Sequence, residues 1–273
     1  MAEKYSAAQW KTSEPASKTA KENPVAKKSA KPTKKAVKKV TKAASKKKAA
    51  VRRPARVSAK ASASKAAVLS QDMLDRLQIR ELVENWALYR DAGMWDRFRT
   101  VWHKDGYMMA TWFQGTSEEF IHMTQEGFKR GVSILHFLGG STIDLHANRA
   151  VAQTKMTISQ RAPVDGVLCD VLCTGRFYDF LIKEAGTWKL VLRRLIYEKD
   201  RLDVIDPGAL LHLDKDLLES FPPGYRHLAY LQTKIGYMVK KNMPGLTGPD
   251  VDALYAFGKK WLETGLLEGA KEY

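Results

Sequence analysis

Residues 82–102 read LVENWALYRDAGMWDRFRTVW. Leu82, Val83, Trp86, Ala87 and Tyr89 recur at the spacing of one helical face. Gly93 breaks that pattern, and Trp95, Phe98, Val101 and Trp102 restart it. The stretch therefore predicts two helices with Asp91 in the break between them. A carboxylate there faces the negative end of the first helix's macrodipole, an unfavourable placement that singles Asp91 out.

Upstream, Ser70 with Asp72 close behind reads as the N-cap and acidic first turn of the first helix. Downstream, a short second helix is expected over 94–103, and YMMATWF at 107–113 is an aromatic-rich strand candidate. Thr116-Ser117-Glu118-Glu119 opens a capped helix running to about Arg130. From Ser133 the texture changes. ILHFLGGSTIDLH, RAVAQTKMTISQR, GVLCDVLCTGRFYDFLIKE and GTWKLVLRRLIYEKDRL are four runs rich in β-branched and aromatic residues, with turns at Asn148-Arg149 and Ala185-Gly186. Helices followed by antiparallel strands predict an α+β fold with helices on one face of a curved sheet. In residues 206–273, Pro222-Pro223-Gly224 and Pro244-Gly245 punctuate helical segments 225–241 and 249–262, the second with Pro249 early in the helix.

Charge divides the chain further. Residues 1–66 carry 20 Lys+Arg against 3 Glu, a net +17, and contain no Leu, Ile or Phe. Such a segment cannot bury enough apolar surface to offset its ordering entropy, so it is expected to be a disordered basic tail. The remaining residues hold 26 basic and 27 acidic side chains, so the overall +16 belongs to the tail. The tail would neutralise DNA, RNA or another polyanion without reading bases. Sequence-specific recognition has no support, because no helix-turn-helix or zinc pattern accompanies it. The expected organisation is a tail over 1–66, a folded domain over 67–205 and a helical extension over 206–273 packed on that domain, closing a pocket mouth or forming a subunit contact.

MAEKYSAAQW lacks the apolar run of a signal peptide, and no stretch reaches membrane-spanning length, so a cytoplasmic protein is expected, with the nucleoid or nucleus open through the tail. Cys169 and Cys173 lie four apart in a strand and read as reduced, buried thiols. There is no HExxH, CxxC, GxGxxG or P-loop, and Asp144 with His146 alone is a weak metal signal.

YRDAGMWDRFRTVW at 89–102, HFLGG at 136–140 and GTWKLVLRRL at 186–195 resemble, in that order, the nuclear transport factor 2-like superfamily, and within it the SnoaL-like and scytalone dehydratase-like enzymes. The resemblance covers about residues 70–205. It implies a cone-shaped α+β barrel around one apolar cavity, the NTF2-like or cystatin-like architecture, with chemistry that needs no cofactor. In dehydratase-like members an Asp ending the first helix pairs with a His on a following strand, and Asp91 and His136 match those positions. A neutral imidazole can take a proton while the carboxylate fixes its tautomer. The second catalytic His of scytalone dehydratases is matched by Thr154, their Tyr before the Asp by Arg90, and an Asn by Tyr178, so scytalone itself is a poor substrate guess. Tyr89, Tyr107, Trp112, Phe137, Thr154 and Tyr178 are the expected substrate-binding residues, Tyr89 or Tyr178 as donors to a developing oxyanion.

These features lead to a lyase or isomerase acting on an apolar, cyclic or aromatic compound. The alternative is a non-catalytic ligand-binding or dimerisation domain whose tail holds nucleic acid. Homodimers or higher oligomers are expected, with a row of Trp188, Leu190 and Leu192 suited to the contact.

Overall fold

A computed structural model describes residues 70–271, so the tail expected over 1–66 lies outside the described residues. Ser70 caps α1 (Gln71–Asp91) by accepting the Met73 N–H, and α1 ends at Asp91 with Gly93 in a left-handed conformation. A single turn pair, α2 (Trp95–Thr100), leads into β1 (Trp102–Met109) and the short β2 (Gln114–Thr116). The strand expected at 107–113 therefore starts five residues earlier. Thr116 and Glu119 close a capping box on α3 (Ser117–Lys129), satisfying two otherwise orphaned N–H groups.

Four long strands follow: β3 (Ser133–His146), β4 (Arg149–Val164), β5 (Val167–Glu184) and β6 (Thr187–Val204). Asp165-Gly166 and Ala185-Gly186 turn the chain with both residues at positive φ, the geometry that matches the twist of a two-residue hairpin. The sheet order is β2-β1-β6-β5-β4-β3. It is open, with β2 and β3 at its edges, and every neighbouring pair is antiparallel except β1 with β6. The sheet is thus mixed and unclosed rather than a purely antiparallel barrel. Register shifts bend it, one of them at Gly175, where a Cβ would collide with the Ile196 carbonyl.

Trp86 organises the inner layer. Its ring meets Phe98, Trp102 and Phe177 edge-on and stacks on Phe120, joining α1, α2, α3, β1 and β5 in one aromatic core. α4 (Lys215–Glu219), α5 (Arg226–Lys234) and α6 (Pro249–Thr264) complete the fold within the compact unit that includes α1 and the sheet. α6 covers the other sheet face, with Trp261 against Phe180 and Tyr255 against Tyr178. Gly258 allows that approach, since a Cβ there would meet the Tyr178 hydroxyl.

The row expected to make a dimer contact does not exist as such. Trp188, Leu190 and Leu192 are all buried within the chain, and the Trp188 indole donates to Asp75 of α1 at 3.0 Å. Phe180 pairs with Leu192 and Leu181 with Leu190, so the extra residue Val191 puts Leu190 and Leu192 on opposite faces. Cys169 and Cys173 are free buried thiols on β5. Among the described residues no helix is long and apolar enough to cross a membrane.

Candidate active site

The end of α1 and the middle of β3 meet at Asp91 and His136. Asp91 Oδ1 lies 2.9 Å from His136 Nδ1, and Oδ2 accepts the backbone N–H of His136 at 2.5 Å. Both carboxylate oxygens thus hold one residue, fixing the ring's tilt as well as its tautomer. When Nδ1–H donates to Asp91, the Nε2 lone pair is left available. Arg90, also at the end of α1, donates through Nη1 to Asp91 Oδ1 at 3.1 Å and to the Ile134 carbonyl at 3.0 Å, the second bond adding a tie from the helix end to β3.

The imidazole is enclosed by aromatic rings. Trp86 meets it edge-on with centroids 5.4 Å apart, and Phe177 lies tilted against it at 5.9 Å. Behind them the Arg193 guanidinium lies against both the Trp86 and the Phe177 ring, 4.1 and 3.7 Å from their centroids, and forms a bidentate pair with Asp179, both bonds 2.7 Å, both side chains fully buried. Burial pushes the His136 pKa below its ordinary value, more than Asp91 raises it, and the charges of Arg90 and Arg193 push the same way. Burial alone would raise Asp91, but its hydrogen bonds to His136 and the charges of His136 and Arg90 outweigh this and hold the carboxyl below the usual range. A neutral imidazole beside an ionised carboxylate results, an arrangement able to accept a proton at neutral pH.

His136 lines a cavity of about 30 Å³ together with Trp86, Arg90, Trp112, Ile158 and Tyr197. Leu228 and Gln232 of α5 line it as well. Side-chain hydrogen bonds tie α5 to the cavity wall: the Thr111 hydroxyl donates to Gln232 Oε1 at 2.7 Å, and Gln232 Nε2 donates to Gln160 Oε1 at 3.1 Å.

Of the expected substrate-binding residues, Trp112 lines this cavity. The others are placed elsewhere, mostly because successive strand residues face opposite ways. Phe137, next to His136, is 72% exposed on the other face of β3. Tyr178, next to Phe177, lies under α6 with its ring 5.7 Å from Tyr255. Tyr107, next to the cavity residue Met108, has the Lys271 ammonium 5.0 Å from its ring. Thr154 is on β4 four residues from the cavity residue Ile158, and its hydroxyl is 2.8 Å from that of Ser141. Tyr89 lines a separate groove of about 410 Å³, open to solvent, with Asn85 and Trp188. Arg90, Thr111, Tyr197 and Gln232, the polar lining beside His136, were not among the expected residues. Among the described residues no group of three or more His, Cys, Asp or Glu is placed to hold a metal.

Residues 71–194 match the family described as the SnoaL-like domain. A protein of Fusarium vanettenii named Pea pathogenicity protein 2 is 36% identical over 206 residues, an alignment covering 71% of this chain and 88% of that one. An uncharacterised protein of Emericella nidulans is 36% identical over 207 residues, covering 70% of this chain and 87% of that one. Among solved structures, a candidate scytalone dehydratase of Novosphingobium aromaticivorans aligns at 16% identity with a TM-score of 0.41, over 52% of this chain and 97% of that one. A hexachlorocyclohexane dehydrochlorinase aligns at 11% identity with a TM-score of 0.42, over 53% and 97%.

Proposed function

We propose that this chain, which belongs to the SnoaL-like domain family, is a cofactor-independent lyase of the dehydratase type or an isomerase. Its substrate is an apolar, cyclic compound, and Asp91 and His136 carry the reaction. His136 acts as the general base through Nε2, and Asp91 orients the ring and stabilises the imidazolium that forms. The observation that carries the proposal is the double attachment of His136 to Asp91 inside an apolar cavity. Here the carboxylate also holds the backbone, which sets the ring's angle toward the cavity.

A cyclic substrate needs far more room than about 30 Å³, which suits a water or two. The proposal therefore includes movement of α5, whose Leu228 and Gln232 line the cavity. Entry would break the Gln232 bonds to Thr111 and Gln160, and closure over substrate would remake them around it.

The test is a titration of His136 in the wild type and in Asp91→Asn, alongside a screen of elimination and isomerisation substrates. The ring pKa falls in Asp91→Asn if the pair is coupled, and Asp91→Asn and His136→Ala both abolish the turnover found in the screen without unfolding the protein. An unchanged titration, or turnover that survives both substitutions, removes the proposal.

A second reading is favoured by the +17 charge of residues 1–66. In it the folded part binds a ligand or pairs with a second copy, and the tail attaches to nucleic acid without sequence preference. DNA binding that weakens steeply with salt and disappears on deleting residues 1–66 supports it. The two readings are compatible, because a basic tail can also place an enzyme on a polyanion.

A further inference from the structure

We infer that Arg90 binds the substrate directly and that the substrate offers it an acceptor oxygen, that of a ketone or carboxylate, an inference that rests on the reading of His136 as the base. Donors and acceptors at the cavity wall lead to it. The Thr111 hydroxyl is committed to Gln232, and the Gln232 amide N–H to Gln160. Arg90 carries five N–H groups, yet both of its hydrogen bonds leave from Nη1. Its Nε and Nη2 donors are to spare in a buried residue that lines this cavity and a smaller adjoining one. Trp86 lines the same cavity, and its buried indole N–H has no partner. Against these donors stands the Nε2 lone pair of His136. A wall with donors in excess is completed by an oxygen.

Arg193 provides the contrast. It meets Asp179 with Nε and Nη2 in a two-bond fork, and its remaining Nη1 is buried without a hydrogen-bond partner beside the Trp86 and Phe177 rings. Arg90 touches Asp91 with one nitrogen, because both oxygens of Asp91 are also engaged by His136. The guanidinium is held in place but not used up.

The chemistry follows. A C–H bond beside the carbonyl breaks, the proton passes to His136 Nε2, and the electron pair moves into the carbonyl system. The negative charge that develops on oxygen is met by the Arg90 N–H groups. Returning the proton to another carbon completes an isomerisation. Expelling a β-hydroxyl group, which takes the proton from the imidazolium and leaves as water, completes a dehydration.

The experiment follows the His136 ring signals of the full chain, one of six histidines, assigned by their loss in His136→Gln. The probes are benzoate and benzyl alcohol, alike in shape and unlike in charge. Benzoate should perturb His136 with at least about tenfold higher affinity than benzyl alcohol. Arg90→Gln should abolish the preference. Arg90→Lys, which keeps the charge and loses the fork, should bind benzoate several-fold more weakly and serves if the glutamine variant does not fold. Equal affinity for the two probes, a preference that survives in folded Arg90→Gln, or unchanged benzoate affinity in Arg90→Lys overturns the assignment. Absence of binding by both probes overturns it together with the cyclic-substrate reading. Loss of Asp91–His136 coupling would instead remove the base while leaving the benzoate preference intact.

Discussion

Two Asp–His pairs in this molecule are bonded alike and set differently. His136 Nδ1 lies 2.9 Å from Asp91 Oδ1, and the His136 backbone N–H donates to Oδ2. His227 Nδ1 lies 2.8 Å from Asp200 Oδ1, and the backbone N–H of Leu228 donates to Oδ2 at 2.8 Å. The partner that is buried changes. In the first pair the imidazole is 6% exposed and the carboxylate 19%; in the second the imidazole is 26% exposed and the carboxylate 1%. Tyr225 gives α5 no side-chain cap, so Asp200 reaches across from β6 to accept an N–H of its first turn. His227 completes a helix cap, whereas His136 lines a cavity. The same residue types at the same distances make a latch in one place and a candidate base in the other.

The largest expected effect lies in turnover. His136→Gln and Asp91→Asn should each lower kcat/KM by about 10²–10⁴-fold, the range over which a positioned base and its orienting carboxylate contribute. His227→Gln loosens the start of α5 and should change kcat/KM by less than about tenfold, through cavity closure. A loss at His227 equal to that at His136 would make the two pairs equivalent. Steady-state kinetics on the substrate found in the screen decides this.

Stability should separate the pairs the other way. Asp200→Ala removes the acceptor from both His227 and the Leu228 N–H at a buried position, at a cost of about 1–3 kcal/mol. Asp200→Asn retains one acceptor oxygen and should cost less. Urea unfolding at constant m-value measures both, and no change in midpoint for Asp200→Ala would remove the cap from the account of α5.

A smaller effect follows from protonation. The folded-state pKa of His136 lies below its ordinary 6.5. Below pH 6.5 the unfolded chain binds a proton that the folded protein does not, so this residue's contribution to stability is lost as pH falls from 6.5 toward the folded value. The slope is at most about 1.4 kcal/mol per pH unit. Asp91 is also depressed, and its contribution is present above its ordinary 3.8 and lost as pH falls below that. Since Asp91 raises the His136 pKa, Asp91→Asn should move the ring's titration further down. His136→Gln should flatten the stability profile just below pH 6.5, and an unaltered slope would show that another group sets it.

What could be read from the chain was local. The cap at Ser70, the capping box of Thr116 and Glu119, the turn at Ala185-Gly186 and the break after Asp91 each depend on a few adjacent residues. What could not be read depends on facing and on distant pairing. Period-two alternation gives two faces without saying which is inner, and register shifts after Thr174 and Phe180 change the parity along β5 and β6. Tyr178 adjoins Phe177 in sequence and packs under α6 against Tyr255, on the face away from His136. Gln232 meets Thr111 across 121 positions and Gln160 across 72, contacts that no spacing rule reaches. Arg90 was visible as a neighbour of Asp91, but its place at the cavity wall depends on how the end of α1 packs against Ile134.

Phe137 gives the smallest effect and isolates the importance of facing. It adjoins His136 in sequence and pairs with Thr157, while His136 pairs with Ile158, so the two side chains lie on opposite faces of β3. Phe137 does not line the cavity, and most of its surface remains in solvent. Little apolar area is removed from water by folding at this position, and a hydroxyl there meets water rather than the aromatic core. Phe137→Ser should therefore shift stability by no more than about 0.5 kcal/mol. It should leave the His136 titration unchanged, whereas a substitution one residue earlier removes the base. A titration shift in Phe137→Ser would mean that the outer face of β3 is coupled to the cavity through the strand itself, and the separation of inner from outer residues would no longer hold at this site.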